Sequence, residues 1–151
     1  MIKLITVGNL KEDYWKKAQQ EYVKRLQKYG HVEIIEINEG KDHNFEVVLK
    51  QEKEKILKYL QPKDYVITLE IEGKQFTSYQ LSKQMDQWLM QYSNLTFIIG
   101  GSYGLDPEIK KRANVSLSFG LLTFPHQMFR IMFLEQLYRS FKIMHNEAYH
   151  K

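Results

Sequence analysis

Five short runs rich in β-branched and aromatic residues alternate along this chain with longer stretches whose apolar residues recur at helical spacing, and few architectures satisfy that pattern. The runs cover residues 2–7, 32–37, 65–70, 95–99 and 115–119. Between them, Trp15, Ala18, Tyr22, Leu26 and Tyr29 predict a first helix, and residues 45–60 a second that closes before Pro62. Leu81, Met85, Trp88, Leu89 and Tyr92 share one face of a third. Asp106-Pro107-Glu108 opens a short fourth with an N-cap, a proline at the first helical position and an acid near the positive dipole end. A fifth follows Pro125 and runs to about Met144. This order predicts an α/β fold, a mostly parallel sheet flanked by helices. With 151 residues, 43% of them hydrophobic, and no linker, repeat or low-complexity tract, the chain reads as one domain over 1–151. Residues 38–44 form the one poorly patterned loop.

Charge is distributed unevenly. Residues 1–109 carry 15 basic and 16 acidic groups, while residues 110–151 carry 7 and 2, together with His126, His145 and His150. Any anionic partner is therefore expected at the C-terminal third. The chain has no cysteine, which excludes disulfides, zinc–thiolate and iron–sulfur sites and a thiol nucleophile. The apolar start, Met1 to Val7, is too short for a signal peptide, and the apolar run 128–137 is interrupted by Arg130 and Glu135. A cytoplasmic protein with no membrane segment and no metal is expected.

Four segments are candidates for function. Gly100-Gly101-Ser102-Tyr103-Gly104 follows the fourth strand, where glycines allow close backbone approach to a ligand or simply make a tight turn. It fits neither the dinucleotide nor the P-loop fingerprint. Ser118 to His126 is a loop rich in Leu and Phe, to be folded into the core or wrapped around an apolar, planar ligand such as adenine. The last helix carries Met128, Phe129, Ile131, Met132, Phe133, Leu134, Leu137, Tyr138 and Phe141, apolar over more than one face. Burial against a second subunit accounts for this better than a central position in so small a domain. The tail, His145 to Lys151, is either frayed or an RNA-directed group in which Tyr149 meets a base, His150 carries a proton and Lys151 meets phosphate.

Taken together, Leu69-Glu70-Ile71-Glu72-Gly73-Lys74, Phe97 to Gly104, Leu117-Ser118-Phe119, Leu122 to His126, Arg130, Glu135 to Arg139 and the terminal Tyr149-His150-Lys151 resemble the RlmH family of SPOUT-class methyltransferases. The resemblance spans nearly the whole chain. It implies methyl transfer from S-adenosyl-L-methionine to N3 of a pseudouridine in 23S ribosomal RNA, with free RNA, the large subunit or the assembled ribosome as substrate. It also implies a homodimer and a deep C-terminal trefoil knot over about residues 95–151, an exception to the rule against knots. By position, the cofactor would contact Leu69, Gly100 and the run Phe119, Gly120, Leu121, Leu122, Thr123 and Phe124, with the tail of one subunit approaching the pocket of the other. Residues 38–44 are shorter than in many relatives.

Methylating a ring nitrogen needs no covalent enzyme intermediate, so the absence of cysteine is no obstacle. It does need a proton acceptor or a group that stabilises the imide anion. His126, Arg130, Tyr149 and His150 are the candidates, with His150 or Tyr149 managing the proton and Arg130 steadying the developing charge. The alternative is a non-catalytic RNA- or ribosome-binding homodimer that keeps the fold. An intact glycine turn, Phe119–Phe124 loop and tail favour the enzyme.

Overall fold

The computed structural model of the protein describes residues 1–150. The order of elements is β1 (Ile2–Val7), α1 (Asp13–Leu26), β2 (Val32–Ile37), α2 (Phe45–Leu57), β3 (Tyr65–Gln75), α3 (Ser78–Gln91), β4 (Leu95–Ile99), α4 (Pro107–Arg112), β5 (Val115–Ser118) and α5 (His126–Met144). The strands form one sheet in the order β2-β1-β4-β3-β5, and every neighbouring pair is parallel. The α/β expectation is met.

Because successive strand residues point to opposite faces, the apolar runs feed two cores at once. Leu4, Leu95 and Phe97 pack beneath Leu26 of α1, Met85 and Trp88 of α3, and Phe133, Leu134 and Leu137 of α5. Ile5, Val7, Val66 and Ile98 face the other way, against Ile56 of α2 and Ile109 of α4. All residues of β1 and β4 are buried, as the two-sided cover requires. Local chemistry starts three helices: Asp106 caps α4 as expected, the side chain of Asn44 caps α2, and Thr77 with Gln80 forms a capping box on α3.

Several boundaries differ from the expectation, among them the ends of α1 and α3, which stop at Leu26 and Gln91, short of Tyr29 and Tyr92. Strand β3 continues to Gln75 rather than stopping at residue 70, because it bulges between Leu69 and Lys74 and then pairs again with β5. Gly73 makes that return fit: a Cβ there would lie 2.8 Å from the backbone of Leu117 and Ser116. Strand β5 ends at Ser118, and helix α2 ends at Leu57, after which Tyr59 and Leu60 turn back on i−3 carbonyls in a tighter coil.

Two segments without regular structure are nonetheless held. Gly40 N–H donates to Glu52 Oε2 and Lys41 N–H to Gln51 Oε1, so α2 ties down the poorly patterned loop. At the C-terminus, the Glu147 carboxylate accepts from Lys28, Tyr29 and Lys142, each at 2.8 Å. Lys142, then Lys28 and Tyr29, draw its pKa down to about 2. A frayed tail is thus excluded as far as the described residues go; Lys151, expected to meet phosphate, lies outside them.

Candidate active site

In an open parallel sheet, ligands bind beyond the carboxyl ends of the strands. Here the carboxyl ends of β3, β4 and β5 and the start of α5 surround a cavity of about 600 Å³. Leu69 and Ile99, in register on β3 and β4, lie at its base. The turn Gly100 to Leu105 forms one wall, and Phe119, Gly120, Leu122, Thr123 and Phe124 form the opposite one. Gly100 has no room for a side chain, since a Cβ would stand 2.5 Å from the Gly104 carbonyl oxygen. The glycines of this turn therefore serve a fold-back of the chain on itself, closed by a Gly104 N–H to Gly101 carbonyl bond.

Ser118 sets the opposite wall. Its buried hydroxyl donates to the Ile71 carbonyl at 2.7 Å and accepts from Gly120 N–H at 3.0 Å, tying the loop to the bulge of β3. Phe119 then meets Phe129 edge-on, with ring centroids 5.2 Å apart. Seven of the eight residues expected to hold a cofactor line this one cavity. Leu121 does not; it is 78% exposed and points away from the lining.

The polar side of the cavity was not among the expected site residues. Glu70 and Glu72 line it together with Lys110. Glu70 Oε2 accepts from Thr68 Oγ1 and Ser116 Oγ, and Oε1 lies 3.2 Å from Lys110 Nζ. Burial pushes the carboxyl up, but Thr68, Ser116 and Lys110 together hold it below its ordinary value, so it is an anion at neutral pH. A signal was present: in a parallel strand buried on both faces, a carboxylate two residues after a threonine sits on the same face at the carboxyl end.

Of the candidate catalytic groups, only His126 borders the cavity. Its Nε2 lies 3.5 Å from Thr6 Oγ1. Burial, then the charge of Arg130, lowers its pKa, leaving a neutral imidazole. Arg130 itself does not reach the cavity. Its side chain is fully buried, with Nη1 donating to Gln19 and to Glu36 (2.6 Å) and Nη2 to the Gly8 carbonyl (2.9 Å). In this placement Arg130 is a clamp joining α5 to α1, β2 and the end of β1.

Tyr149 and His150 lie in the tail beyond α5, packed back against its outer turns. The Tyr149 hydroxyl donates to Glu135 Oε1 at 3.2 Å, its ring lies beneath Arg139 and edge-on to Tyr138, and burial raises its pKa. His150 Nδ1 lies 3.1 Å from Arg139 Nη1. Within one chain the described residues of the tail, up to His150, do not line the cavity. Among the described residues, no group of three or more His, Asp or Glu is placed to hold a metal ion, and no helix is long and apolar enough to cross a membrane.

Apolar walls, a main-chain loop and an acidic edge suit a ligand with a planar apolar part and a positive charge. Residues 1–150 match the family model described as "Predicted SPOUT methyltransferase", and the chain belongs to that family: it is a methyltransferase of the SPOUT class. Within that class, it is 48% identical to the ribosomal RNA large subunit methyltransferase H of a Streptococcus thermophilus strain, covering 99% of both chains. The protein of the same name from Caldicellulosiruptor saccharolyticus is 47% identical over the full length of both. These relatives bear out the resemblance to the RlmH family.

Proposed function

We propose that this methyltransferase acts on large-subunit ribosomal RNA, moving a methyl group from S-adenosylmethionine to N3 of a pseudouridine, as a cytoplasmic homodimer whose residues 95–151 form a trefoil knot. The names of the relatives support the ribosomal substrate. The observation that carries the reading is the convergence of Leu69, Gly100 and the Phe119–Phe124 segment on one cavity of about 600 Å³, from loops far apart in sequence. The cavity fits the cofactor chemically. Leu69, Ile99, Leu105 and Phe124 offer apolar contact to an adenine ring, and the Glu70 and Glu72 carboxylates favour a positively charged group.

Bound there, S-adenosylmethionine supplies an electrophilic methyl group for an acceptor nitrogen. The chain's own residues position and exclude. The Phe119–Phe124 wall keeps water from the reacting centre, and Glu70, fixed by three partners, presents charge without reorganising. Tyr149 and His150 handle the imide proton from the tail of a second copy, since within one chain they lie apart from the cavity. Arg130 acts through position, holding the end of β1, and its charge adds to burial in keeping His126 neutral.

Mass spectrometry of ribosomal RNA nucleosides from a strain lacking the gene tests this directly. Loss of a methylpseudouridine, restored by the gene, is the expected result; an unchanged nucleoside profile overturns it. Failure of the folded protein to bind S-adenosylmethionine in calorimetry would favour an RNA-binding protein without turnover.

A further inference from the structure

Glu52 of α2 is only 3% exposed, yet half of its carboxylate is unsatisfied. Oε2 accepts from Gly40 N–H at 2.9 Å, whereas Oε1 is buried and, among the described residues, accepts no hydrogen bond. Leaving a buried carboxylate oxygen without a partner costs free energy, so natural proteins keep few of them outside functional sites.

The carboxylate lies directly behind the cavity wall. A Cβ on Gly101, which lines the cavity, would stand 3.3 Å from Oε1 and 3.4 Å from Oε2, as well as 3.0 Å from Val7 Cγ1. Glu52 therefore occupies the space that a side chain at residue 101 would take. One backbone residue separates it from whatever the cavity holds, and protein interior screens charge far less than water does over that thickness.

The chain itself does little to neutralise this group. Burial pushes its pKa up and the Gly40 N–H draws it down, while Glu39 and then Lys55 add effects of opposite sign. Lys55 Nζ is engaged elsewhere, donating to the Asn38 carbonyl. Glu70, by contrast, is already matched by Thr68, Ser116 and Lys110. A cation in the cavity would thus relieve Glu52 more than any group the fold brings to it.

We infer that Glu52 is a specificity-determining residue: acting across Gly101, it favours the cationic cofactor over the neutral product that methyl transfer leaves behind. The inference rests on the methyl-transfer function proposed above and adds a basis for product release to it. As the methyl passes to an acceptor nitrogen that has given up its proton, the sulfur keeps the bonding pair, and a sulfonium becomes a neutral thioether. The attraction to Glu52 ends with that step, so S-adenosylhomocysteine is held less firmly than S-adenosylmethionine.

Calorimetry on the full-length protein at about pH 8, well above the ordinary carboxylate range, with each compound titrated separately, tests this. Glu52→Gln removes the charge and keeps both the shape and an acceptor for Gly40. S-adenosylmethionine affinity is expected to fall roughly fivefold to thirtyfold, the effect of a unit charge one residue away at an effective dielectric of about 20, while S-adenosylhomocysteine affinity stays within about twofold. An equal fall for both compounds overturns the inference and makes Glu52 a scaffold for the wall. Unchanged S-adenosylmethionine affinity overturns it as well. Should the variant fail to fold, carboxyl-carbon NMR of the native protein decides: by linkage, Glu52 is expected to titrate at lower pH with S-adenosylmethionine bound than with S-adenosylhomocysteine bound, and identical titrations overturn the inference. If the native protein binds neither compound, the methyl-transfer function fails, and the inference with it.

Discussion

Arg130 and Glu36 divide a charge pair unequally between interior and solvent: the guanidinium is fully buried, whereas Glu36 keeps 39% of its side chain exposed. Removing each partner therefore has a different consequence. Arg130→Met leaves a carboxylate that water can still solvate, while Glu36→Ala leaves a buried cation without its counter-charge. We expect Glu36→Ala to destabilise at least as much as Arg130→Met, by about 3 kcal/mol, measured by urea unfolding. His126 carries a pH signature of opposite origin to an ordinary acid. Its folded-state pKa lies below the usual value of about 6.5, so between those two values the unfolded chain holds a proton that the folded one lacks. Its contribution is intact above about pH 6.5 and is lost as the pH falls toward the folded-state pKa. Unfolding free energies at about pH 7.5 and 5.5 are expected to show a decline on acidification that is smaller in His126→Asn.

The bulge of β3 couples stability to the site. Its four residues between paired registers carry Glu70, Ile71 and Glu72 into the cavity, and Gly73 lets the strand return against β5. A methyl group at Gly73 collides with backbone, which cannot swing aside as a side chain would. Gly73→Ala is expected to cost about 1–3 kcal/mol and to weaken S-adenosylmethionine binding as well, because Ser118 hangs the Phe119–Gly120 wall from the Ile71 carbonyl. A loss of stability with unchanged cofactor affinity in calorimetry would separate the two and refute the coupling. Little of this was legible beforehand. The strand run 65–70 was read correctly because its residues are β-branched and buried, but a bulge leaves no periodicity, and β3 beyond residue 70 has the composition of a loop.

For the molecule as a whole, the unsettled surface is the one beside the cavity mouth. Leu121 and Leu122 are 78% and 73% exposed, and Met128, Ile131 and Met132 of α5 remain half-buried. Apolar residues so placed fit the homodimer in our proposal. Sedimentation equilibrium is expected to return twice 18.1 kDa for the native protein. A shift to the single-chain mass is expected for Leu121→Asp, a residue outside the cavity lining. A native protein that sediments as one chain would remove the second copy from the site, and with it the proposed route of Tyr149 and His150 to the cofactor.

What the sequence determined by itself was everything written in short-range pattern. Strand and helix identities follow from periodicity, the start of α4 from its capping side chain, and two of the loops around the cavity from glycines and an apolar connection where polar residues are usual. The tertiary structure alone decided which groups meet across the chain. Arg130 reads as an exposed helix cation until Glu36, 94 residues away, and the Gly8 carbonyl close around it. Glu70 becomes a fixed anion only when Ser116 and Lys110 arrive from β5 and α4. The tail is held by Lys28 and Tyr29, far back in the turn that follows α1. Periodicity records how much of a residue is buried, whereas charge state and chemical role depend on partners brought from distant positions, and a single sequence carries no local mark of them.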